Sequence, residues 1–267
     1  MAGAGGLVER ERELGLLAGH LADVRAGSGR VVVIDGPAGI GKSRLLAESR
    51  AAAELAGLQV LHARASELER DFAFGVVRQL FEGVRLDPEL DAAAFEGAAA
   101  PARAVLGAFD DDDATAGDAS FAALHGLFWM ALNLANRRPL LLAIDDLHWA
   151  DRPSLRFLTY LVRRLDGVPI LMAATLRSGE PGVDPRLIGE LVHDPAEASL
   201  RPAPLSVEAV AAVLAEQLDA PVDPAFADAC HRATGGNPLL LRQLARALEA
   251  VRVPPDAAAR PRARWPT

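Results

Sequence analysis

Residues 30–46 read RVVVIDGPAGIGKSRLL, a β-branched run joined to a helix-like stretch through a glycine-rich turn. Arg30 to Asp35 has the continuous apolar character of a buried strand, and KSRLLAESRAAAELA, from Lys42 to Ala56, has the residues of a helix. Between them Gly36, Gly41, Lys42 and Ser43 satisfy G-x-x-x-x-G-K-[ST], in the strand-to-helix context that the motif requires. Glycines let backbone N–H groups converge on phosphate oxygens, and the N-terminus of the following helix adds its positive dipole end. The loop Gly36, Pro37, Ala38, Gly39, Ile40, Gly41, Lys42 and Ser43, with Arg44 after it, is therefore expected to hold a nucleotide. Lys42 would reach the β- and γ-phosphates, and Ser43 would lend its hydroxyl oxygen to Mg²⁺.

Lys42 is the only lysine in the chain; Lys and Arg together number 28, so every other basic side chain is arginine. Lysine is a compact charge on a slim stem, whereas guanidinium is a wide planar fork that would collide with a loop wrapped around phosphates. A chain that uses arginine everywhere else keeps lysine where the shape of the charge matters. The same count excludes an N-K-x-D guanine reader, which needs a second lysine, and so favours ATP or ADP.

At 267 residues the chain can hold one large α/β domain and a smaller appendage. With 51% hydrophobic, 5% aromatic and 24% charged residues it reads as a soluble, helix-rich protein. A formal charge of −8 argues against direct DNA binding by this segment, whose only basic run is Arg260, Arg262 and Arg264. The single cysteine, Cys230, excludes an intrachain disulfide and a Cys-rich zinc site; it reads as a small buried side chain in a cytoplasmic protein. The most membrane-like run, Phe121 to Ala135, is short and carries His125 and Asn133, so a buried helix is expected, with His125 packed and not a ligand.

Further strands are expected at LQVLHARA after Gly57, at Pro139 to Asp145, at Pro169 to Leu176 and near ASLRPAPL (198–205), alternating with helices at GVVRQLFEGV and SLRFLTYLVRRL. Residues 86–117 weaken into a helix fragment and a solvated loop with the acidic run Asp110 to Asp113. Apolar strands alternating with helices make a doubly wound parallel α/β layer. Beyond Ser206 the pattern is wholly helical. The expected division is a nucleotide-binding domain over 1–205, a helical lid over 206–252 and a linker or tail over 253–267.

LLLAIDDLHWAD ends a buried strand at Asp145 and puts Asp146 directly after it. Asp145 is expected in the Mg²⁺ shell, and Asp146 as the general base that polarises the attacking water, its alternative being to cap the following turn. His148, Trp149 and Asp151 either serve the site or form a packing turn. Arg177, after the fourth strand, is a candidate sensor of the γ-phosphate or a strand-end surface arginine. Asn237 and Pro238 suit a helix start as N-cap and first residue.

Taken together, LVERERELGLL, GPAGIGKSRLL, DFAFGVVRQLF, LLAIDDLHWAD, AATLR and GGNPLLL resemble the N-terminal ATPase module of large LuxR-type transcriptional regulators, STAND-class P-loop ATPases related to AAA+ proteins. The resemblance runs from about Leu7 to Val251. It implies a five-stranded sheet in the order 5-1-4-3-2, ATP with Mg²⁺ as ligand, and a slowly hydrolysing switch. It also implies that Gly236 and Pro238 approach the adenine as a G-x-P element, and that Arg10 is the arginine of an N-terminal G-R-E box, with Glu9 standing where the family has glycine. Partners implied are ATP or ADP, a second copy, and sensor and helix-turn-helix regions beyond this chain. Two other functions stay open: a nucleotide scaffold without turnover, and a small-molecule phosphotransferase.

Overall fold

The computed structural model describes residues 7–107, 121–180, 182–192 and 197–251. The acidic run Asp110 to Asp113, the arginines of the tail and the expected linker lie outside them.

Five strands form one parallel sheet: β1 (Arg30–Gly36), β2 (Gln59–Arg64), β3 (Leu140–Asp145), β4 (Ile170–Arg177) and β5 (Glu197–Leu200), in the order β2-β3-β4-β1-β5. This is the 5-1-4-3-2 order read from the other edge. β5 is shorter than expected. It pairs with β1 from Val31↔Glu197 to Ile34↔Leu200 and stops before Pro202 and Pro204, which lack the N–H that a ladder needs.

Residues alternate between two cores along each strand. Val31, Val33, Leu140, Leu142, Ile144, Met172 and Ala174 face one side, against α3 (Gly75–Leu86), α6 (Phe121–Arg137) and α7 (Arg152–Val162). Val32, Ile34, Leu141, Ala143, Leu171 and Ala173 face the other, against α1 (Glu11–Arg25) and α2 (Lys42–Leu55). Burial on both faces is why the strands read as unbroken apolar runs. The short helices α4 (Pro88–Ala94) and α5 (Ala102–Gly107) each start at or just after a proline, Pro88 and Pro101, and α8 (Pro185–Val192) packs beside α7.

The last three helices, α9 (Val207–Leu218), α10 (Pro224–Thr234) and α11 (Pro238–Val251), form a small subdomain with its own core of Val210, Leu214, Phe226, Cys230, Leu241 and Leu248. Val8 from the N-terminal segment packs against it. Cys230 is fully buried, and burial pushes its thiol up to about 11, which removes it from thiolate chemistry. Among the described residues no helix is long and apolar enough to cross a membrane. Phe121–Arg137 is instead a packed helix, with Leu127, Met130 and Leu134 buried. Its His125 accepts a hydrogen bond from Trp129 Nε1 at 2.9 Å and lies 3.2 Å from the Tyr160 hydroxyl, so the ring is packed among aromatic neighbours.

Candidate nucleotide site

Gly36 closes β1 and Lys42 opens α2, so residues 37–41 turn the chain through a short arc at the carboxyl edge of the sheet. Gly39 and Gly41 make the turn with φ of +79° and +105°, which L side chains rarely adopt. Lys42 folds back across the arc and donates from Nζ to the carbonyls of Gly36 (2.8 Å) and Pro37 (3.0 Å). Only 7% of Lys42 is exposed. Burial holds its ammonium below the usual lysine range, opposed by the carboxylate of Asp146 and reinforced by the charge of Arg177. A lysine tied only to neutral carbonyls is a cation in need of an anion.

The carboxylates meet this loop through the sheet. Asp145 Oδ1 accepts from Ser43 Oγ at 3.0 Å and from Thr175 Oγ1 at 2.6 Å, while the backbone N–H of Asp146 donates to Thr175 Oγ1 at 2.8 Å. Asp146 sits in left-handed backbone conformation (φ +55°, ψ +42°) and its side chain caps nothing. The turn-cap alternative is therefore corrected: the carboxylate points to the cleft, because the left-handed residue turns the chain sharply at the strand end. There Asp146 Oδ2 lies 3.4 Å from Arg64 Nη2, and Arg64 Nε lies 4.0 Å from Asp145. Arg64 and Thr175 are site residues that the motif reading missed. Thr175 is a hydroxyl in an otherwise apolar strand, a weak local signal, while Arg64 is brought to Asp145 only by the register of β2 and β3.

Within HWAD, Asp151 has a packing role. It is 2% exposed and accepts from Ser154 N (2.9 Å), Phe74 N (2.8 Å) and Val76 N (3.2 Å), so one carboxylate caps α7 and α3 together. His148 is buried beneath the cleft, where burial depresses its basicity against the opposing pull of Asp146 and Glu180. Arg177 pairs with Glu180, three residues on.

The helical subdomain touches the loop directly. Asn237 Oδ1 accepts from Leu239 N and Leu240 N, capping α11, while its Nδ2 donates to Ala38 O at 2.8 Å. Leu239 N donates to Gly39 O at 3.2 Å, and a Cβ on Gly39 would lie 2.7 Å from both Asn237 Oδ1 and Leu239 Cβ. The helix start expected at Asn237 is thus also a bridge to the phosphate loop. Gly236 abuts Leu205, a residue of the cleft lining: its carbonyl accepts from Leu205 N, and a Cβ there would meet Leu205 O at 2.4 Å. Arg10 is 3% exposed and donates to the carbonyls of Glu9, Ile40 and Ala203, which leaves its charge structural. Glu9 accepts from the N–H and hydroxyl of Ser206, the N-cap of α9.

These elements enclose a cleft of about 680 Å³, a size suited to a small-molecule ligand. Ala38 to Arg44 line it together with Asp146, Arg64 and Arg177, with Leu7, Val8 and Arg10 of the N-terminal segment, and with a mixed surface of the helical subdomain made of Val213, Glu216, Gln217, Pro238, Leu239, Arg242 and Arg246. Gly36, Pro37 and Asp145 stand behind this lining and act through Lys42 and Ser43. Among the described residues no cluster of three or more His, Cys, Asp or Glu could hold a metal alone. Ser43 and Asp145 nevertheless present two hard oxygens side by side, the donor set of a Mg²⁺ that takes its remaining ligands from phosphates and water.

Comparison with known proteins agrees with this geometry. The chain is 30% identical to an uncharacterised protein of Rhizobium meliloti (strain 1021), over 90% of this chain and 25% of that protein, so it spans a quarter of that relative's length. Among solved structures, a STAND protein with a tetratricopeptide repeat sensor from Pyrococcus horikoshii matches 90% of this chain and 30% of its own (TM-score 0.53, 18% identity). The ORC2 protein of Aeropyrum pernix, solved as ADPNP–ADP complexes, matches 93% of this chain and 64% of its own (TM-score 0.56, 17% identity). At such identities the likeness is one of fold. Residues 6–172 match the family model described as AAA ATPase domain, and with that match joined to the phosphate loop, the paired carboxylates and the 5-1-4-3-2 sheet, the chain belongs to the AAA ATPase domain family, as an ATP-binding P-loop domain.

Proposed function

We propose that the chain is the ATP-dependent switch domain of a longer transcription regulator of the LuxR type, cytoplasmic, with slow hydrolysis resetting the switch. The observation that carries this is the placement of the cleft: its lining is shared between the phosphate loop of the α/β domain and the helical subdomain, and the two meet at Asn237–Ala38 and Leu239–Gly39. A ligand lying between two bodies biases their relation by its differential contacts with each arrangement. The set of motifs from Leu7 to Val251 supports the LuxR reading. The tetratricopeptide sensor of the Pyrococcus relative supports a sensor region as partner, and a net charge of −8 supports DNA contact through another part of the protein. A second copy of the chain is a further partner of this kind of switch.

In the chemistry we assign, Lys42 exchanges the carbonyls of Gly36 and Pro37 for phosphate oxygens, since a charged acceptor makes the stronger hydrogen bond. Mg²⁺, held through Ser43 and Asp145, would neutralise phosphate charge. Asp146 orients the attacking water and takes its proton, while Arg177 faces the terminal phosphate. Pro238 contributes to the wall for the base; Gly236 shapes the turn behind it, and Arg10 holds the N-terminal segment against the loop.

The test measures binding and turnover together. Mg-ATP at a hundredfold excess over its dissociation constant should stabilise the protein by about 2.7 kcal/mol. Asp146→Asn should keep that shift and slow single-turnover phosphate release by about a hundredfold or more. Absence of any nucleotide-dependent shift would remove the reading, and an Asp146→Asn variant as fast as wild type would remove the base assignment alone.

A further inference from the structure

Arg177 ends β4 and lines the cleft together with Lys42, and its guanidinium is engaged by Glu180. The pair is built into a tight turn. Glu180 N donates to Arg177 O at 3.3 Å, and Gly179, at φ +84°, supplies the left-handed residue that brings the two side chains together. The second carboxylate oxygen of Glu180 points inward. It is buried without a hydrogen-bond partner, 3.2 Å from His148 Nε2, and neither ring nitrogen of His148 has a hydrogen-bond partner either.

His148 cannot leave to find one. Its side chain is 2% exposed, it packs against Trp149 at 5.1 Å between ring centroids, and its carbonyl is held by Val183 N at 2.9 Å. Buried polar groups are otherwise paired, so an unpaired imidazole beside an unpaired carboxylate oxygen marks a contact made in another arrangement of the same residues. Burial lowers the basicity of the imidazole, and its neutral form has one ring N–H to give. Glu180 therefore stands between two partners: Arg177, which it holds now, and His148, toward which a small rotation would align it.

We propose that Glu180 sets the discrimination between nucleoside triphosphate and diphosphate by competing with the terminal phosphate for Arg177, and that His148 receives the carboxylate when Arg177 leaves. The inference rests on the nucleotide reading given above. A terminal phosphate carries more charge than one carboxylate and offers the guanidinium a bidentate partner, so it wins the contest. A diphosphate ends short of Arg177 and leaves the Glu180 pair intact. Glu180 thus lowers affinity for the triphosphate alone, and His148 offsets part of that loss by stabilising the released carboxylate.

Calorimetric titration with Mg-ADP and with a non-hydrolysable Mg-ATP analogue tests this on the whole chain. Glu180→Gln should tighten the triphosphate analogue by about two- to fivefold, the worth of a half-exposed ion pair, and leave ADP unchanged. Arg177→Ala should weaken the analogue alone, and adding Glu180→Gln to it should change nothing further. His148→Leu should move the ratio in the opposite direction from Glu180→Gln. Should Glu180→Gln fail to fold, Glu180→Asp, whose shorter acid retracts from Arg177, should shift the ratio the same way by less. An unchanged ratio in Glu180→Gln, or a gain that persists without Arg177, would overturn the proposal while the nucleotide reading stands. Wild-type protein that bound neither nucleotide would overturn both.

Discussion

Thr175 joins the two aspartates of the site. Its hydroxyl donates to Asp145 and accepts from the backbone of Asp146, and it is fully buried in β4 between apolar neighbours. Replacing it by valine keeps the shape and β propensity but orphans the Asp146 N–H and frees Asp145 to turn. Thr175→Val is expected to lower the stability of the nucleotide-free protein by about 1–3 kcal/mol, the penalty of an unsatisfied buried group, and to raise the Mg²⁺ concentration needed for ATP binding. Urea unfolding and a Mg²⁺ titration check the two effects, and Thr175→Ser should restore both. At this scale the legible residues were those fixed by local spacing. Lys42 and Ser43 are dictated by the loop they sit in, and Asp145 by the strand it ends. Thr175, Arg64 and Glu180 become site residues only through strand register and a turn, which place them beside groups distant in the chain.

Asp151 shows the same limit for whole elements. Its position before Arg152 and Pro153 suits an N-cap of α7, but its second oxygen reaches across to the start of α3, more than seventy residues earlier. That contact pins the start of α3 beside the segment that follows Arg64. Asp151→Ala removes acceptors from two helix starts in a buried site, and the expected loss is about 2–4 kcal/mol by urea unfolding, with Asp151→Asn intermediate because one amide oxygen remains. A loss under 1 kcal/mol would show that solvent replaces the cap. The long helices α2, α3, α6, α7, α9, α10 and α11 were legible from their apolar spacing and end signals, in several cases to within two residues. α1 and α8 were not. Leu17, Leu21 and Val24 make a narrow stripe in a helix rich in charge and glycine, and its helicity depends on the sheet face that it covers.

For the whole molecule, the titrating groups set a pH response. Burial lowers the basicity of His20, His62 and His148. In the unfolded chain these imidazoles titrate near 6.5, so below that pH the unfolded state binds more protons than the native one, and stability falls as pH drops. Glu9 and Glu180, lowered by the hydrogen bonds of Ser206 and Arg177, add stability that is present above about 4.5 and is lost only in stronger acid. The urea midpoint is therefore expected to fall between pH 7.5 and pH 5.5, and a midpoint that held or rose would refute this. What the sequence determined by itself is the phosphate loop, the parallel α/β layer and a helical appendage, because each follows from local spacing or from runs buried on both faces; the strand order came only from the family resemblance. Only the tertiary structure decided that the appendage closes on the loop through Asn237, that Glu9 and Arg10 hold the junction at Ser206 and Ala203, and that Arg177 is restrained by Glu180. Those contacts join segments as much as two hundred residues apart, and their partners are chosen by where the packed elements come to rest, which no local pattern in the chain specifies.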